Sequence, residues 1–437
     1  MIARLSSVGT SGGMQRLSSG ENVATDDVLP EDDVIGATPQ LIEISRTASL
    51  NPIRPEVGLV KTVSVLWSAS KELVWWLGMP GLWAANFIWL LLYVIVMLPA
   101  FIPVFFYYVL AKRVVKNVCY GPSIRHQLDI YLPERIPHEE ANCTPDQILA
   151  KAKARKGSCG ENVYAYNKER EDGRKRPIVI FVSGGAWIIG YKLWPFMMGR
   201  VFQANGVIFV SPDYRNFPQG TAVNMVADVT KAVKWVLQHA EDIGGDPSNI
   251  TLMGQSAGAH LTALALINAA EKEASGGQPP WRQGDIARFV GISGPYDIVG
   301  LIPAMHKRGL HRRVLQALME DPIKMSPIVR VHAMPRAAAD LMPPVSLYHG
   351  TADATVPYNQ TEAMAEALKS AHVQLDKVVL MVGKSHTDPI LEDPAGGEDP
   401  LMVDLIEMVH AGTSNPAILP RRLPKAMQAL ARWLNPF

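Results

Sequence analysis

Five residues, Gly254-Gln255-Ser256-Ala257-Gly258, constrain this chain more than any other stretch. They join a strand-like run, Ile250-Thr251-Leu252-Met253, to a helix-like run, His260 to Leu266. A serine at so sharp a turn takes a strained backbone conformation that holds its hydroxyl out, and the flanking glycines remove side chains that would collide across the turn. The segment is expected to run strand, tight turn, helix, with Ser256 as a nucleophile at the top of a sheet.

The surroundings supply that sheet. From Asn117 onward, short apolar runs alternate with helical stretches. The expected strands are Leu128–Leu132, Ile178–Val182, Val207–Val210, Ile250–Met253, Phe289–Ile292, Val345–Tyr348 and Lys377–Val382. Helices such as Ala222–Ala240 and Gln360–Ser370 fall between them. Buried strands alternating with helices predict an α/β fold, a mainly parallel sheet with helices on both faces. With the elbow, this is the α/β-hydrolase class. The expected catalytic domain is 117–437, with a charged, irregular loop at 134–176 and a cap insertion at about 297–343.

What precedes this domain differs in kind. Residues 1–70 are rich in Ser, Thr, Gly, Asp and Pro without apolar periodicity, and read as a disordered tail. Arg-led serines at Ser6, Ser18 and Ser49 are candidate phosphorylation sites within a polar tail. No signal peptide is evident. Leu73 to Ala111 contains no charged residue, a run longer than the ~20 residues that span a bilayer. Trp75, Trp76, Trp83 and Trp89, then Tyr107 and Tyr108, sit where interfacial aromatics belong. A transmembrane anchor is expected at 73–111, one helix at about 82–98 ended or kinked by Pro99 and Pro103, with two short spans or a buried core hairpin as the alternatives. Lys112, Arg113 and Lys116 after it favour a cytoplasmic C-terminal side.

Composition removes other classes. A net charge of +1 lacks the basic excess of a nucleic-acid binder. Cys119, Cys143 and Cys159 show no metal-ligand spacing and read as reduced thiols, with a Cys143–Cys159 bridge as the alternative. No metal or organic cofactor is expected.

The chemistry then requires partners for Ser256. Acid and histidine should follow it in that order. Eight histidines do. His386 comes one short loop after the strand Lys377–Val382 and is the favoured base; His260 lies on the elbow helix and reads as a packing residue. Asp353, in the loop after Val345–Tyr348, is the expected acid. Asp388 is the rival, but it follows the histidine and reads as a loop cap. Ser183-Gly184-Gly185-Ala186-Trp187 follows the strand before the elbow. Gly184 and Gly185, with the Ala257 N–H, are the expected oxyanion donors, and Ala186 and Gln255 complete the oxyanion and substrate-binding positions. Trp187-Ile188-Ile189 and Trp194-Pro195-Phe196-Met197-Met198 are either ordinary core packing or candidate linings for an apolar groove. In the cap, Lys307, Arg308, Arg312 and Arg313 alternate with leucines and Val314 like a basic amphipathic helix, either for anionic lipid or as a solvated cap face.

Five segments carry a family resemblance: Ser183 to Lys192, Ser211-Pro-Asp-Tyr-Arg215, Gly244-Gly-Asp-Pro247, Gly254 to His260, and Gly383-Lys-Ser-His-Thr-Asp388. Together they resemble the isoprenylcysteine alpha-carbonyl methylesterases, of the hormone-sensitive-lipase-like esterases. The chain departs from the broader group at Ser183-Gly184-Gly185-Ala186, where that group has His-Gly-Gly-Gly. The resemblance implies hydrolysis of the methyl ester on an S-prenylated C-terminal cysteine, with such esters and a lipid bilayer as partners. It also implies an endoplasmic reticulum or Golgi membrane setting with the catalytic domain facing the cytosol. A broader carboxylesterase, deacetylase or arylformamidase remains the alternative, because fold and triad do not select among these substrates. A non-catalytic hydrolase-fold receptor would lack part of the triad.

Overall fold

The computed structural model describes residues 82–133, 175–411 and 421–435, with the side chains of 82–87 outside the description. The tail at 1–70, Cys143, Cys159 and nearly all of the charged loop lie outside the described residues.

In chain order the elements are α1 (Leu82–Leu110), β1 (Val114–Cys119), β2 (Gln127–Tyr131), β3 (Arg176–Val182), α2 (Phe196–Ala204) and β4 (Ile208–Pro212). There follow α3 (Ala222–Gln238), β5 (Gly245–Gln255), α4 (Ala257–Ala274) and β6 (Arg288–Ile292). Four cap helices come next: α5 (Ile298–Lys307), α6 (Arg312–Met319), α7 (Pro327–His332) and α8 (Arg336–Ala339). The chain returns through β7 (Val345–Gly350), α9 (Asn359–Ser370), β8 (Leu375–Met381), α10 (Asp393–Gly396), α11 (Pro400–Val409) and α12 (Lys425–Leu434).

The strands form one eight-stranded sheet in the order β1-β2-β4-β3-β5-β6-β7-β8. The β1–β2 and β2–β4 pairs are antiparallel and the others parallel. Ile178 to Val182 in β3 are all buried, as a strand covered on both faces must be. On one face Met225, Val229, Ala232, Val233 and Val236 of α3 join α4 and the cap in the larger core cluster. On the other, Met198, Val201 and Phe202 of α2 and Leu405, Ile406 and Val409 of α11 close a second cluster. The sequence missed β1, a short edge strand whose pairing with β2 carries a register shift.

The apolar helix differs from its expected form. α1 continues through Pro99 and Pro103 to Leu110. Each proline removes one helical N–H donor. The helix holds across that gap because Tyr93, Met97, Ala100 and Val104 pack in one cluster with Phe196, Met197, Ala395, Leu423, Ala431 and Leu434. Its Ile88–Leu110 stretch is long and apolar enough to cross a membrane.

The cap also departs from expectation. The anticipated single basic helix is two, α5 and α6, separated at Arg308–His311, with Gly309 at φ +98°. Val314, Leu315 and Leu318 of α6 face the core.

Candidate active site

β5 delivers Gln255, α4 begins at Ala257, and Ser256 sits between them at φ +53° and ψ −126°. A non-glycine residue there is strained and persists only where its surroundings hold it. The Ser256 N–H donates to Ile292 O at 2.8 Å, at the end of β6. Gly258 permits the close packing behind the turn: a Cβ there would lie 2.8 Å from Ser183 O.

The loop after β3 comes up against this turn. A Cβ on Gly184 would lie 2.7 Å from the Ser256 Cβ, so only glycine lets that backbone reach the serine. Ala186 and Trp187 follow at φ +48° and +62°. The loop is fastened from several sides. Tyr214 Oη donates to Ser183 O at 3.0 Å, and the Phe217 N–H to Trp187 O at 2.9 Å. Arg125 Nη2 and Asn216 Nδ2 both donate to Gly190 O, at 2.6 and 2.8 Å. The Trp187 indole, buried, donates to His260 Nδ1 at 3.2 Å. That fixes the His260 tautomer, so its Nε2–H donates to Met325 O at 2.7 Å. Burial pushes the His260 imidazole down to about 4, keeping it neutral. His260 thus ties the loop after β3, α4 and the cap together, beyond the packing role expected of it.

The candidate acid and base, Asp353 and His386, come from the loops after β7 and β8. His386 Nδ1 lies 2.6 Å from Asp353 Oδ2. A carboxylate only accepts, so Nδ1 carries the proton and Nε2 holds a lone pair. Gln255, the residue before Ser256, places its Nε2 amide 3.3 Å from that His386 Nε2. The basic nitrogen of His386 therefore faces the elbow. Asp353 is held on both oxygens. Its Oδ1 accepts from the Thr355 and Val356 N–H groups at 2.8 Å each. Its Oδ2 also accepts from His349 Nε2 at 3.1 Å. Burial by itself would raise this carboxyl; attraction to the His386 ring when it is protonated, with the hydrogen bonds from His349, His386 and Val356, outweighs it and holds Asp353 well below the usual range.

His349 was not foreseen. Its Nε2–H is shared between Asp353 and Val356 O at 2.8 Å, and its Nδ1 accepts from Thr361 Oγ1 at 2.7 Å. The available signal was a histidine closing a strand in which every residue is buried, where its polar atoms must find partners. Asp388 stands apart from this constellation. It accepts from the Ser385 N–H at 2.8 Å and from Arg432 Nε at 2.7 Å, as a loop cap does. Trp187, Phe196, Met197 and Met198 are buried core, whereas Ile189 and Trp194 are 48% and 49% exposed. The difference follows from packing: Phe196 and Met197, in the first turn of α2, cluster with α1, and Met198 clusters with the sheet.

This fold and the constellation on its loops belong to a carboxylic ester hydrolase of the α/β-hydrolase class. A family model described as BD-FAE matches residues 163–368. Esterase B from Lactobacillus rhamnosis superposes with a TM-score of 0.50 at 16% identity, over 68% of this chain and 85% of that one, a likeness of fold alone. An isoprenylcysteine alpha-carbonyl methylesterase of Arabidopsis thaliana is 34% identical over 380 residues, 84% of this chain and 80% of that protein. A probable isoprenylcysteine alpha-carbonyl methylesterase of Oryza sativa subsp. japonica is 35% identical over 373 residues, 83% and 81% of the two chains. The chain belongs to the isoprenylcysteine alpha-carbonyl methylesterase family.

Proposed function

We propose that this protein is a membrane-bound serine esterase that hydrolyses the C-terminal methyl ester of S-prenylated cysteine through Ser256, His386 and Asp353. The observation that carries the reading is the 2.6 Å His386–Asp353 contact, with His386 Nε2 turned toward an elbow that holds Ser256 at φ +53°.

In this reading Ser256 Oγ attacks the ester carbonyl as its proton passes to His386 Nε2. Asp353 keeps the imidazole in the productive tautomer and stabilises the imidazolium. The N–H groups of Gly184, Gly185 and Ala257 receive the oxyanion; Ala257 opens α4, where the first N–H groups lack helical acceptors. Ala186 and Gln255 adjoin them, and the Gln255 amide meets His386 Nε2 on the elbow side of the ring. The carbonyl–methoxy bond breaks, and methanol leaves with the proton from His386. Water, deprotonated by His386, attacks the acyl-enzyme and releases the carboxylate. The reaction needs no co-reactant but water.

The prenylcysteine substrate is supported by the names of the relatives and by the exposed Ile189 and Trp194 beside the oxyanion loop, which suit a long hydrocarbon. A membrane is supported by the apolar α1, since such a substrate partitions into lipid. The endoplasmic reticulum or Golgi, with the hydrolase domain on the cytosolic side, completes the reading.

A substrate panel tests it. The purified protein should show a higher kcat/KM for a prenylcysteine methyl ester than for short acyl esters or an N-formyl aromatic amide. Preference for the formyl amide overturns the substrate assignment. Ser256→Ala should abolish fluorophosphonate labelling and ester turnover while leaving thermal unfolding cooperative.

A further inference from the structure

α1 presents two faces with different fates. Tyr93, Met97, Ala100, Val104 and Tyr107 recur at helical spacing and are buried. Leu91, Ile95, Leu98, Ile102, Phe105 and Val109 recur at the same spacing on the other side and are exposed, with no polar residue among them. Such a stripe on water would be a large apolar patch.

The buried face is bonded to the hydrolase domain along its length. Tyr93 Oη donates to the buried Glu392 at 2.9 Å. Tyr107 Oη donates to Gln203 Oε1 at 2.7 Å, and Tyr108 Oη to Asp129 Oδ2 at 2.7 Å. Lys116 Nζ then meets the last carbonyls, Tyr108 O at 3.0 Å and Val109 O at 2.9 Å. From Tyr93 to Tyr108 the helix rises ~22 Å against the domain. A bilayer core is ~30 Å thick. A helix crossing it upright would carry Glu392, Gln203, Asp129 and their neighbours Asp388, Asp393 and Arg432 into hydrocarbon, where ionised groups are costly. At its other end, Trp89 already packs edge-on against Trp433 of α12, with ring centroids 5.6 Å apart. Only Leu82–Ile88 of the described helix reaches beyond that contact, a length of ~10 Å.

We propose that α1 anchors the protein by lying along a single leaflet, its outer face in the hydrocarbon and its inner face on the hydrolase domain, instead of crossing the bilayer. The occupant of the exposed stripe is lipid. Trp433 and Leu430 of α12 extend the apolar surface beside α1, while Lys112 and Arg113 follow its end, where cations meet headgroups. Phe101 of α1 also packs on Phe196 at 5.7 Å, two residues after the exposed Trp194. The leaflet thus meets the chain close to the rim of the active site, where a prenyl group leaving the bilayer would enter. This inference rests on the membrane reading above and specifies its geometry.

Depth measurements test it. Single nitroxides at Leu91, Ile95, Leu98, Ile102, Phe105 and Val109, each in the full chain with its three cysteines replaced by serine, are reconstituted into phosphatidylcholine–phosphatidylserine liposomes. Collision with oxygen and with an aqueous nickel complex gives the depth of each label. All six are expected at one shallow depth, ~5–10 Å below the headgroups. A depth that passes from one headgroup layer through the bilayer centre to the other overturns the proposal. So do labels reached by nickel alone, or shielded from both quenchers as in contact with a second copy or another protein. With the native cysteines kept, Ile95→Asp combined with Ile102→Asp is expected to move the protein from liposomes into solution with short-chain ester turnover retained. A double variant that stays in the liposome fraction and active overturns the proposal. Short-chain turnover reports the hydrolase separately, so a failed geometry is distinguishable from a failed esterase assignment.

Discussion

Asp353 shows how one side chain concentrates the local physics of this site. Four donors converge on it, two from backbone and two from imidazoles. In the proposed mechanism its loss leaves His386 free to take the wrong tautomer. Asp353→Asn should lower kcat by about 10³–10⁴ while changing KM little, read from steady-state turnover of the methyl ester. The same substitution has a pH signature. The carboxyl is held below its unfolded value near ~3.9, so its stabilisation is complete above that pH and lost as pH falls toward the folded value. Thermal unfolding from pH 7 to pH 3 should therefore show the gap between wild type and Asp353→Asn narrowing as pH falls; a gap constant with pH would remove the carboxylate from the stability argument. The placement of Asp353 and His386 on the loops after β7 and β8 was legible because each follows an apolar strand-like run. His349 was not, because its role depends on a turn that folds Asp353 back beside it.

Between β8 and α12 the elements depend on one buried carboxyl. Glu392 accepts from Tyr93 of α1, from Thr387 next to His386, and from Asn435 after α12. Burial, then the charge of Asp388, pushes it up to about 7. Its other oxygen, Oε2, is buried without a hydrogen-bond acceptor or donor partner, which suits a protonated acid. With a folded value above the unfolded one near ~4.3, the group's contribution is fully present below ~4.3 and lost as pH rises through about 7, at a cost on the order of 3 kcal/mol when ionised. Glu392→Gln keeps a neutral amide oxygen for Tyr93, Thr387 and Asn435. The variant should match wild type near pH 5 and exceed it in thermal midpoint at pH 8; equal pH dependence in the two proteins would show that Glu392 does not titrate in this range. None of these partners is adjacent in sequence, which is why Glu392 carried no signal there. The prolines in α1 misled for the same reason: local rules end a helix at Pro99, whereas packing of Met97, Ala100 and Val104 carries it to Leu110.

For the whole molecule, α1 is a piece of the hydrolase domain as much as an attachment to it. Tyr93, Met97, Ala100 and Val104 cover Phe196, Met197, Leu423 and Leu434, and each large buried apolar side chain contributes ~1.5–3 kcal/mol. A chain starting at Lys112 should therefore be poorly soluble or unfold at least ~10 °C lower than the full protein, read by detergent-free yield and thermal denaturation. A stable, fully active truncation would show that α1 is a detachable anchor. The sequence by itself determined the sheet of buried apolar strands, the tight turn at Ser256, the strand-end positions of Asp353 and His386, and the uncharged run before the domain. These are local patterns, written in periodicity, glycine placement and the absence of charge. Only the tertiary structure decided that His349 and His386 share one carboxylate, that Trp187 and Met198 are core, and that the apolar helix lies against the hydrolase. Those outcomes depend on which surfaces meet, and surfaces made from distant segments exist only once the chain has closed around them.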